Sequence, residues 1–220
     1  MRDDSAMALR FHPGRCDEPP GCELLAELID HLDAIYPGRA ARPGSVTTPE
    51  EMVPPHGIFL VGYDCAPSLD RRWTADTIAR PRHDCPPSLD RRWTADTIAS
   101  PRHDCAPSLD RTWTADTIAR PRHEDGRAIA CGGLRRLQDG VCEIKRMYVV
   151  PDARSRGVGR ALLAALEDAA RELGYSRVRL DAGPEQRHSR VLFASTGYVE
   201  IAPYNANHIA EYWAEKLLAA

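Results

Sequence analysis

The clearest chemistry-bearing feature of the sequence is a run of arginines and glycines at residues 154–161, which reads RSRGVGRA. The run follows a predicted strand and opens a predicted helix, so backbone N–H groups of the first helical turn point outward without intrahelical acceptors. The helix dipole adds positive potential, and glycines let a phosphate approach the backbone closely. Residues 154–161 therefore predict a site for a phosphate or pyrophosphate group.

Two common phosphate-binding motifs fit this run poorly. A Walker-type loop needs Lys and then Ser or Thr after its last glycine, whereas Arg160 and Ala161 follow Gly159 here. A dinucleotide fingerprint needs a third glycine where this chain has Leu162. On the motif alone, an ordinary glycine-containing helix entrance remains the alternative.

The pattern R-x-x-G-x-G resembles the GNAT superfamily of N-acetyltransferases, and two flanking stretches extend the resemblance to its small bacterial members. The stretch CEIKRMYVVP at 142–151 looks like the family's central strand, and residues 183–198 resemble its final helix and the Gly-Tyr entry into the next strand. The resemblance covers residues 124–218 well and residues 1–63 loosely. It implies an α/β (α+β) GNAT fold, with a central mixed, mostly antiparallel sheet flanked by helices.

The resemblance also implies a cosubstrate, acetyl-CoA, and direct attack by an amine without a covalent enzyme intermediate. Backbone at residues 147–149 would pair with the pantetheine arm, and an amide there would polarise the thioester carbonyl. Amides at residues 156–160 would bind the pyrophosphate. The implied cofactor-binding residues are Met147, Tyr148, Val149, Arg154, Arg156, Gly157, Val158, Gly159 and Arg160.

Glu143 is the candidate general base. Most aliphatic amines are protonated at pH 7, so a base is expected to contribute roughly 10²–10⁴-fold. Glu143 lies 11 positions before Arg154, the spacing at which several GNAT members carry a basic glutamate. Strand alternation predicts that it shares a face with Lys145, Met147 and Val149. The alternative is that Glu143 pairs with Lys145 or with a neighbouring strand.

Phe193 departs from the family pattern. Members often protonate the leaving thiolate from a tyrosine on the last helix, and Phe193 occupies that position here. The thiolate would then leave unprotonated, which a thiol pKa near ~8.5 tolerates, or another hydroxyl would serve. The substitutes open to this chain are Tyr148, Ser189, Ser195 and Tyr198; Tyr148 joins Glu143 as our predicted catalytic pair.

The elements that must position these groups follow from hydrophobic periodicity and turn residues. A helix is predicted over 158–173, with Gly174 as a left-handed cap at its C-terminal end. Residues 208–218 are ambiguous between strand and helix. The remaining predictions are strands at 6–11, 57–63, 127–134, 141–150, 177–180 and 198–201, helices at 22–35 and 188–195, and a short helix start at 48–51.

Three near-identical 20-residue units occupy residues 64–83, 84–103 and 104–123. They fall between two predicted strands, so we expect a tandem repeat inserted at a β-hairpin tip, where insertions are tolerated. The chain then divides into residues 1–63 and 124–220 of one domain and the insert 64–123. Each unit carries His and Cys, but H-x-C is not a usual zinc spacing, so no metal is expected.

The composition and net charge argue against several classes of binding partner. A formal net charge of -3 and a pI near 6.2 argue against a nucleic-acid binder and a polybasic membrane anchor. No apolar run approaches the ~20 residues of a membrane span. The start of the chain lacks the features of a secretory signal, so a cytoplasmic location with reduced cysteines is expected. Many GNAT proteins pair, which leaves a homodimer open.

The function expected from these features is acetyl transfer from acetyl-CoA to the amine of a small molecule or peptide. The alternative is a catalytically weak acyl-CoA-binding module in which the repeats serve protein interaction. Both predict coenzyme A binding, and the enzyme alone predicts turnover.

Overall fold

The computed structural model describes residues 9–38, 47–65 and 126–219, and its strands form one seven-stranded sheet in the order β1-β2-β3-β4-β5-β7-β6. Neighbouring strands are antiparallel except β4 and β5, which are parallel. The strands are β1 (Leu9–Gly14), β2 (Ile58–Asp64), β3 (Arg127–Gln138), β4 (Val141–Val149), β5 (Arg177–Ala182), β6 (Val199–Glu200) and β7 (Tyr212–Leu217). The α-helices are α1 (Gly21–Ile35), α2 (Val158–Glu172) and α3 (Arg187–Ser195), with 3₁₀ turns at Pro49–Met52 and Pro151–Ala153. The predicted mixed, mostly antiparallel sheet is confirmed.

The two glycines in the middle of β3 show which helix covers which face of the sheet. A Cβ on Gly132 would lie 2.9 Å from Leu166 Cδ1 of α2, so one side of the sheet packs against α2. A Cβ on Gly133 would instead meet Met52 and Phe59, and Phe59 also packs against the start of α1. These two sides are called the α2 face and the α1 face below. Successive strand residues point to opposite faces, as pleating requires.

Burial explains why the helices sit there. Leu24 and Leu28 of α1 are at most 5% exposed, and Leu162 and Leu166 of α2 are fully buried. Each pair recurs at helical spacing, so each helix presents one apolar stripe to the sheet. Gly174 follows α2 with φ of 84°, which confirms the predicted left-handed cap.

The structure shifts the first predicted strand and assigns the segment near the end of the chain that the sequence left open. The first strand was predicted at 6–11, whereas β1 spans Leu9–Gly14 and pairs with β2 through Leu9↔Asp64. The ambiguous segment 208–218 contains strand β7, which pairs along the whole length of β5. Pairing partners far away in sequence decided this segment, because its local pattern favoured neither form.

Strands β2 and β3 form the hairpin that flanks the repeats. Their antiparallel register runs from Ile58↔Leu134 to Asp64↔Arg127, with one irregularity at Gly62/Tyr63. The repeat units lie outside the described residues, apart from Asp64 and Cys65. The division of the chain at 64 and 123 therefore stays a prediction. None of the helices in the described ranges is long and apolar enough to cross a membrane.

Candidate active site

The central parallel pair of strands opens into a gap. Within the described strands, β4 and β5 pair through Val141↔Arg177, Cys142↔Val178 and Glu143↔Arg179, and the ladder stops there. Both strands continue, because β4 stays paired to β3 as far as Val149 and β5 stays paired to β7 as far as Ala182. Backbone N–H and C=O groups of the diverging strands therefore line the gap, where an extended ligand can meet them.

A β-bulge in β4 reorients the side chains beside the gap. Cys131 pairs with Tyr148 and Gly133 with Lys145, so between these pairs one residue of β3 opposes two of β4. The extra residue is accommodated at Arg146, whose φ is 62°. After the bulge, the side-chain alternation of β4 is out of phase with the alternation before it.

The predicted face for Met147 and Val149 was therefore wrong, while that for Lys145 was right. Lys145 shares the α1 face with Glu143, because their pairing partners on β3, Gly133 and Arg135, lie two residues apart. Met147 and Val149 lie on the α2 face: Met147 Cγ is near the Gly132 position beside α2, and Val149 is near Gly159. Tyr148 lies on the α1 face, where its hydroxyl donates to Glu27 Oε2 of α1 at 3.2 Å.

The predicted anion site begins where β4 ends. Gly157 is the N-cap of α2 with φ of 83°, a backbone conformation that favours glycine, and a Cβ built there meets no atom within 4 Å. The space in front of this helix start is thus open among the described residues. The first backbone amides of α2, from Val158 onward, point into it without intrahelical acceptors.

Two arginines of this loop brace it. Arg154 donates from Nε to the Val149 carbonyl at 2.9 Å, and its guanidinium lies 5.7 Å from the centroid of the Tyr148 ring. Arg160 donates to Ser195 Oγ at 2.8 Å and so ties α2 to α3. Arg156 is exposed. The loop that would cradle a pyrophosphate is therefore fixed at both ends by its own arginines.

Glu143 lies at the closed end of the gap and is fully buried. Within the described part of the chain, four donor groups lie within 3.1 Å of its carboxylate. Arg135 Nε contacts Oε2 at 2.6 Å, whereas Tyr204 Oη at 2.7 Å, Asn205 Nδ2 at 2.9 Å and Lys145 Nζ at 3.1 Å contact Oε1. The alternative that Glu143 pairs with Lys145 and a neighbouring strand is thus seen in the structure. Its proposed role as a base stays a prediction.

Asp181 completes this buried cluster from the β5 side of the gap. Lys145 Nζ reaches both of its carboxylate oxygens, at 2.9 and 2.8 Å, and so bridges β4 and β5 where their backbones have parted. Burial by itself would raise the pKa of Asp181, but the Lys145 charge and hydrogen bonds from Lys145, Asn205 and Asn207 outweigh it and hold the pKa below its usual value. The carboxylate is thus ionised at neutral pH.

Asn205 joins the loop between β6 and β7 to this cluster. Its Nδ2 donates to Glu143 Oε1 and to Asp181 Oδ2, at 2.9 and 2.8 Å. Its Oδ1 accepts from Trp213 Nε1 at 3.0 Å and from the Asn207 backbone at 3.3 Å. One side chain therefore connects β4, β5, β7 and the loop, and it holds that loop over the α1 face of the gap.

Two of the four hydroxyl groups considered as proton donors to the thiolate already donate hydrogen bonds within the protein. Ser195 donates to the Leu192 carbonyl at 2.8 Å, and Tyr148 donates to Glu27. Tyr198 is buried against Phe193, with ring centroids 5.8 Å apart, and burial together with the nearby Glu167 carboxylate raises its pKa. Phe193 is itself 5% exposed, so it packs in the core at the position where the family resemblance expects an acid.

Sequence reasoning missed the residues that complete the cluster, namely Arg135, Asp181, Tyr204, Asn205 and Asn207. The available signal was weak: a charged residue directly after each of two predicted strands, and two asparagines in a loop without a motif. No group of three or more His, Cys, Asp or Glu residues in the described ranges is arranged to hold a metal ion. The His and Cys of the repeats lie outside those ranges, except Cys65.

The fold and the opened sheet beside a glycine-capped helix agree with the class of protein that the sequence resembled. The sequence model of the acetyltransferase (GNAT) family matches residues 84–198, more than half of the 220 residues. The chain belongs to this family. The match starts at residue 84, so it takes in the second and third repeat units as well as the segment from 124 onward.

Solved structures and curated proteins agree with that assignment. A GNAT-family acetyltransferase of Staphylococcus aureus has a TM-score of 0.56 at 11% identity and covers 96% of this chain and 100% of its own. A structure from Klebsiella pneumoniae assigned to the acyl-CoA N-acyltransferases has a TM-score of 0.55 at 19% identity, covering 96% and 98%. Both show the fold.

Among curated proteins, the IAA acetyltransferase of Azospirillum brasilense is 35% identical over 80 residues, 36% of this chain and 52% of that protein. The chain thus spans about half the length of the curated relatives it matches.

Proposed function

We propose that this protein is an acetyl-CoA-dependent N-acetyltransferase that transfers the acetyl group to an amine of a small molecule or peptide by direct attack. The observation that carries the proposal is the gap between β4 and β5 beside the bulge at Arg146, directly ahead of the open helix start at Gly157. These features lie inside the segment matched by the family.

The pyrophosphate would lie on the backbone amides at residues 156–160, where the open space at Gly157 leaves room for it. The pantetheine arm would extend along the backbone of residues 147–149, whose N–H and C=O groups line the gap. An amide there would polarise the thioester carbonyl, because a fixed N–H dipole stabilises the developing oxyanion.

The two faces of the sheet separate the two substrates. Helix α2 and its glycine-capped start lie on the α2 face, so the cosubstrate enters from that side. The amine would then approach from the α1 face, where Glu143, Lys145 and Asp181 are clustered beneath the loop that carries Asn205. We place Glu143 in the role of the group that finally receives the amine's proton. The thiolate leaves unprotonated or takes a proton from solvent.

A second function stays in consideration because of Phe193. A buried phenyl ring cannot donate a proton, and a catalytically weak acyl-CoA-binding module, with the repeats serving protein interaction, would bind the same cosubstrate. The two functions differ in turnover. Acetyl-CoA should therefore be tested with a panel of acceptors: a polyamine, an amino acid, an aminoglycoside, a peptide with a free N-terminus, and IAA, which the Azospirillum relative's name suggests.

Calorimetric titration with acetyl-CoA tests the binding site directly, and two matched glycines flank helix α2. Gly157 and Gly174 have φ of 83° and 84°, and a Cβ on either would meet no atom within 4 Å. Gly157→Glu and Gly174→Glu thus impose the same backbone strain at opposite ends of the helix. We expect one-site binding that Gly157→Glu abolishes and Gly174→Glu preserves. Equal affinity in both variants would remove the pyrophosphate from the α2 start.

A further inference from the structure

The burial of Glu143 limits how a proton can reach it. Its side chain has no exposed surface, and the described groups around its carboxylate are Arg135, Lys145, Tyr204 and Asn205. An amine on the α1 face therefore cannot touch the carboxylate while this cluster is intact. Within the described part of the chain, the routes by which a proton can reach the carboxylate run through these four groups.

Their chemistry separates the four groups. A guanidinium, an ammonium and an amide NH₂ donate hydrogen bonds but have no nitrogen lone pair to accept one. A tyrosine hydroxyl donates one proton and also accepts hydrogen bonds through its oxygen lone pairs. Among the described neighbours of Glu143, Tyr204 is thus the group that can receive a proton on one side while passing its own to the carboxylate.

The setting of Tyr204 suits this task. It lies in the loop between β6 and β7, is half-buried, and donates to Glu143 Oε1 at 2.7 Å. The Arg179 guanidinium lies 5.3 Å from the centroid of its ring and holds the ring in place. Burial first, and then the charges of Glu143 and Asp181, raise the pKa of the Tyr204 hydroxyl, so it stays protonated at rest.

We infer that Tyr204 is a catalytic residue that relays the proton of the acceptor amine to Glu143. This inference rests on the proposed acetyltransferase function. The amine N–H bond breaks as its proton passes to Tyr204 Oη, and the Tyr204 O–H bond breaks as that proton passes to Glu143 Oε1. Tyrosine returns to its neutral form, Glu143 becomes a neutral acid, and the lone pair freed on nitrogen forms the bond to the acetyl carbon. The carbon–sulfur bond of the thioester then breaks, coenzyme A leaves as the thiolate, and the surplus proton still on the nitrogen passes to solvent.

The charged groups that face this pair come from every strand around it. Arg135 lies on β3, Lys145 on β4, Arg179 and Asp181 on β5, and Glu215 on β7 binds Arg179 at 2.8 Å. Glu51, from the 3₁₀ turn before β2, binds Arg135 at 3.1 Å. These groups remain in a Tyr204→Phe variant, which removes one oxygen and keeps the ring under Arg179.

The test compares Tyr204→Phe with the wild type over pH 6 to 10, using acetyl-CoA and the best primary amine of the panel above, with coenzyme A release followed by chromatography. Without the relay, the amine must lose its proton in solution, so its reactive fraction falls tenfold for each pH unit below its pKa. We expect kcat/KM to fall about 10²-fold at pH 7 and to recover towards the wild-type value near pH 10.

Controls separate this effect from misfolding. Tyr175→Phe removes a hydroxyl that donates to the His56 carbonyl at 2.8 Å, away from the cluster, and should keep the wild-type pH profile. Acetyl-CoA affinity of Tyr204→Phe should also be unchanged.

Three outcomes would overturn the relay through Tyr204, and one of them would also overturn the proposed function. Equal pH profiles for wild type and Tyr204→Phe would overturn the relay while leaving the acetyltransferase function intact. A loss of the same size at every pH would also overturn the relay, because it would indicate a structural role. Wild-type protein that binds acetyl-CoA but acetylates no member of the panel would overturn the proposed function and the relay with it.

Discussion

The bridge between Lys145 and Asp181 offers a quantitative test of how the opened sheet is held together. The two side chains are 10% and 7% exposed, and Lys145 Nζ lies 2.8 Å from Asp181 Oδ2. Asp181→Asn removes one charge and keeps the shape of the side chain. It leaves the Lys145 ammonium buried with Glu143, at 3.1 Å, as its remaining anion in the described cluster.

The expected loss of folding stability in Asp181→Asn depends on how well Glu143 compensates the Lys145 charge. Breaking a buried ion pair by removing one member typically destabilises by ~3–5 kcal/mol, because the other charge is left uncompensated. Glu143 still compensates Lys145 in part, so we expect a smaller loss than this, about 2–3 kcal/mol. For a chain of this size that corresponds to a fall in Tm of roughly 4–12 °C.

Asp168→Asn is the matched control. Asp168 pairs with Arg171 at 2.7 Å, almost the same separation, but the two side chains are 54% and 37% exposed. Exposed pairs contribute about 0–1 kcal/mol, so this variant should melt close to the wild type. Thermal and urea unfolding at pH 7, followed by circular dichroism, compare the three proteins. Equal and small losses in both variants would refute the view that the Lys145–Asp181 bridge holds the strands together.

The pH dependence of this difference has a definite sign. The folded pKa of Asp181 is lowered from its ordinary value, so its ionised form contributes stability that is fully present above the unfolded pKa, near ~3.9. That contribution is lost as the pH falls through the folded pKa. The stability gap between wild type and Asp181→Asn should therefore be constant from about pH 5 to 8 and shrink below about pH 4. A gap that widens on acidification would contradict the assignment.

Three further predictions concern other parts of the chain. Gly57→Ala should destabilise the protein by more than about 2 kcal/mol in urea unfolding, because the new Cβ would lie 2.0 Å from the Glu51 carbonyl oxygen. Gly159→Ala, inside α2, is the contrasting variant, because its new Cβ would meet its nearest atom at 3.6 Å. This variant should be neutral or stabilising by about 0.5–1 kcal/mol. Burial raises the pKa of the Cys142 thiol to about 12, so this thiol should react slowly with a maleimide at pH 7.5. Mass spectrometry after a maleimide pulse should find Cys142 unmodified in the native protein and modified in urea. Rapid labelling of the native protein would contradict its burial. Deleting residues 66–125 with Cys65→Asn should leave a folded protein that still binds acetyl-CoA, because Asp64 and Arg127 are already paired and an Asn-Gly turn suits the two residues between them; an insoluble product would show that the repeats belong to the core.

The regular elements were predictable because they depend on local pattern. Helix α2 was predicted at 158–173 and spans Val158–Glu172, since its leucines recur at helical spacing and Gly174 ends it. Strand β4 was predicted at 141–150 and spans Val141–Val149. The glycine-capped helix start at Gly157 was equally visible, because a strand, two glycines and a helix start are adjacent in sequence.

The cluster around Glu143 was not predictable in the same way. Its members come from residues 135, 143, 145, 181, 204 and 205, so it exists only after three strands and a loop have assembled. Each member has an ordinary local explanation, such as a charged residue near the end of a strand. The register of β3 against β4 and of β5 against β7 brings them together, and a single sequence does not encode register locally.

The bulge at Arg146 is the physical reason why alternation failed where the site begins. A regular strand would carry Glu143, Lys145, Met147 and Val149 on one face, which would put the acid-base cluster and the residues beside α2 on the same side of the sheet. The extra residue at Arg146 moves Met147 and Val149 to the α2 face and leaves Glu143 and Lys145 on the α1 face. One irregular residue thus separates the side from which we propose that the cosubstrate enters from the side from which we propose that the amine approaches. A rule based on regular pleating fails at this position because the extra residue at Arg146 shifts the alternation of β4 by one residue.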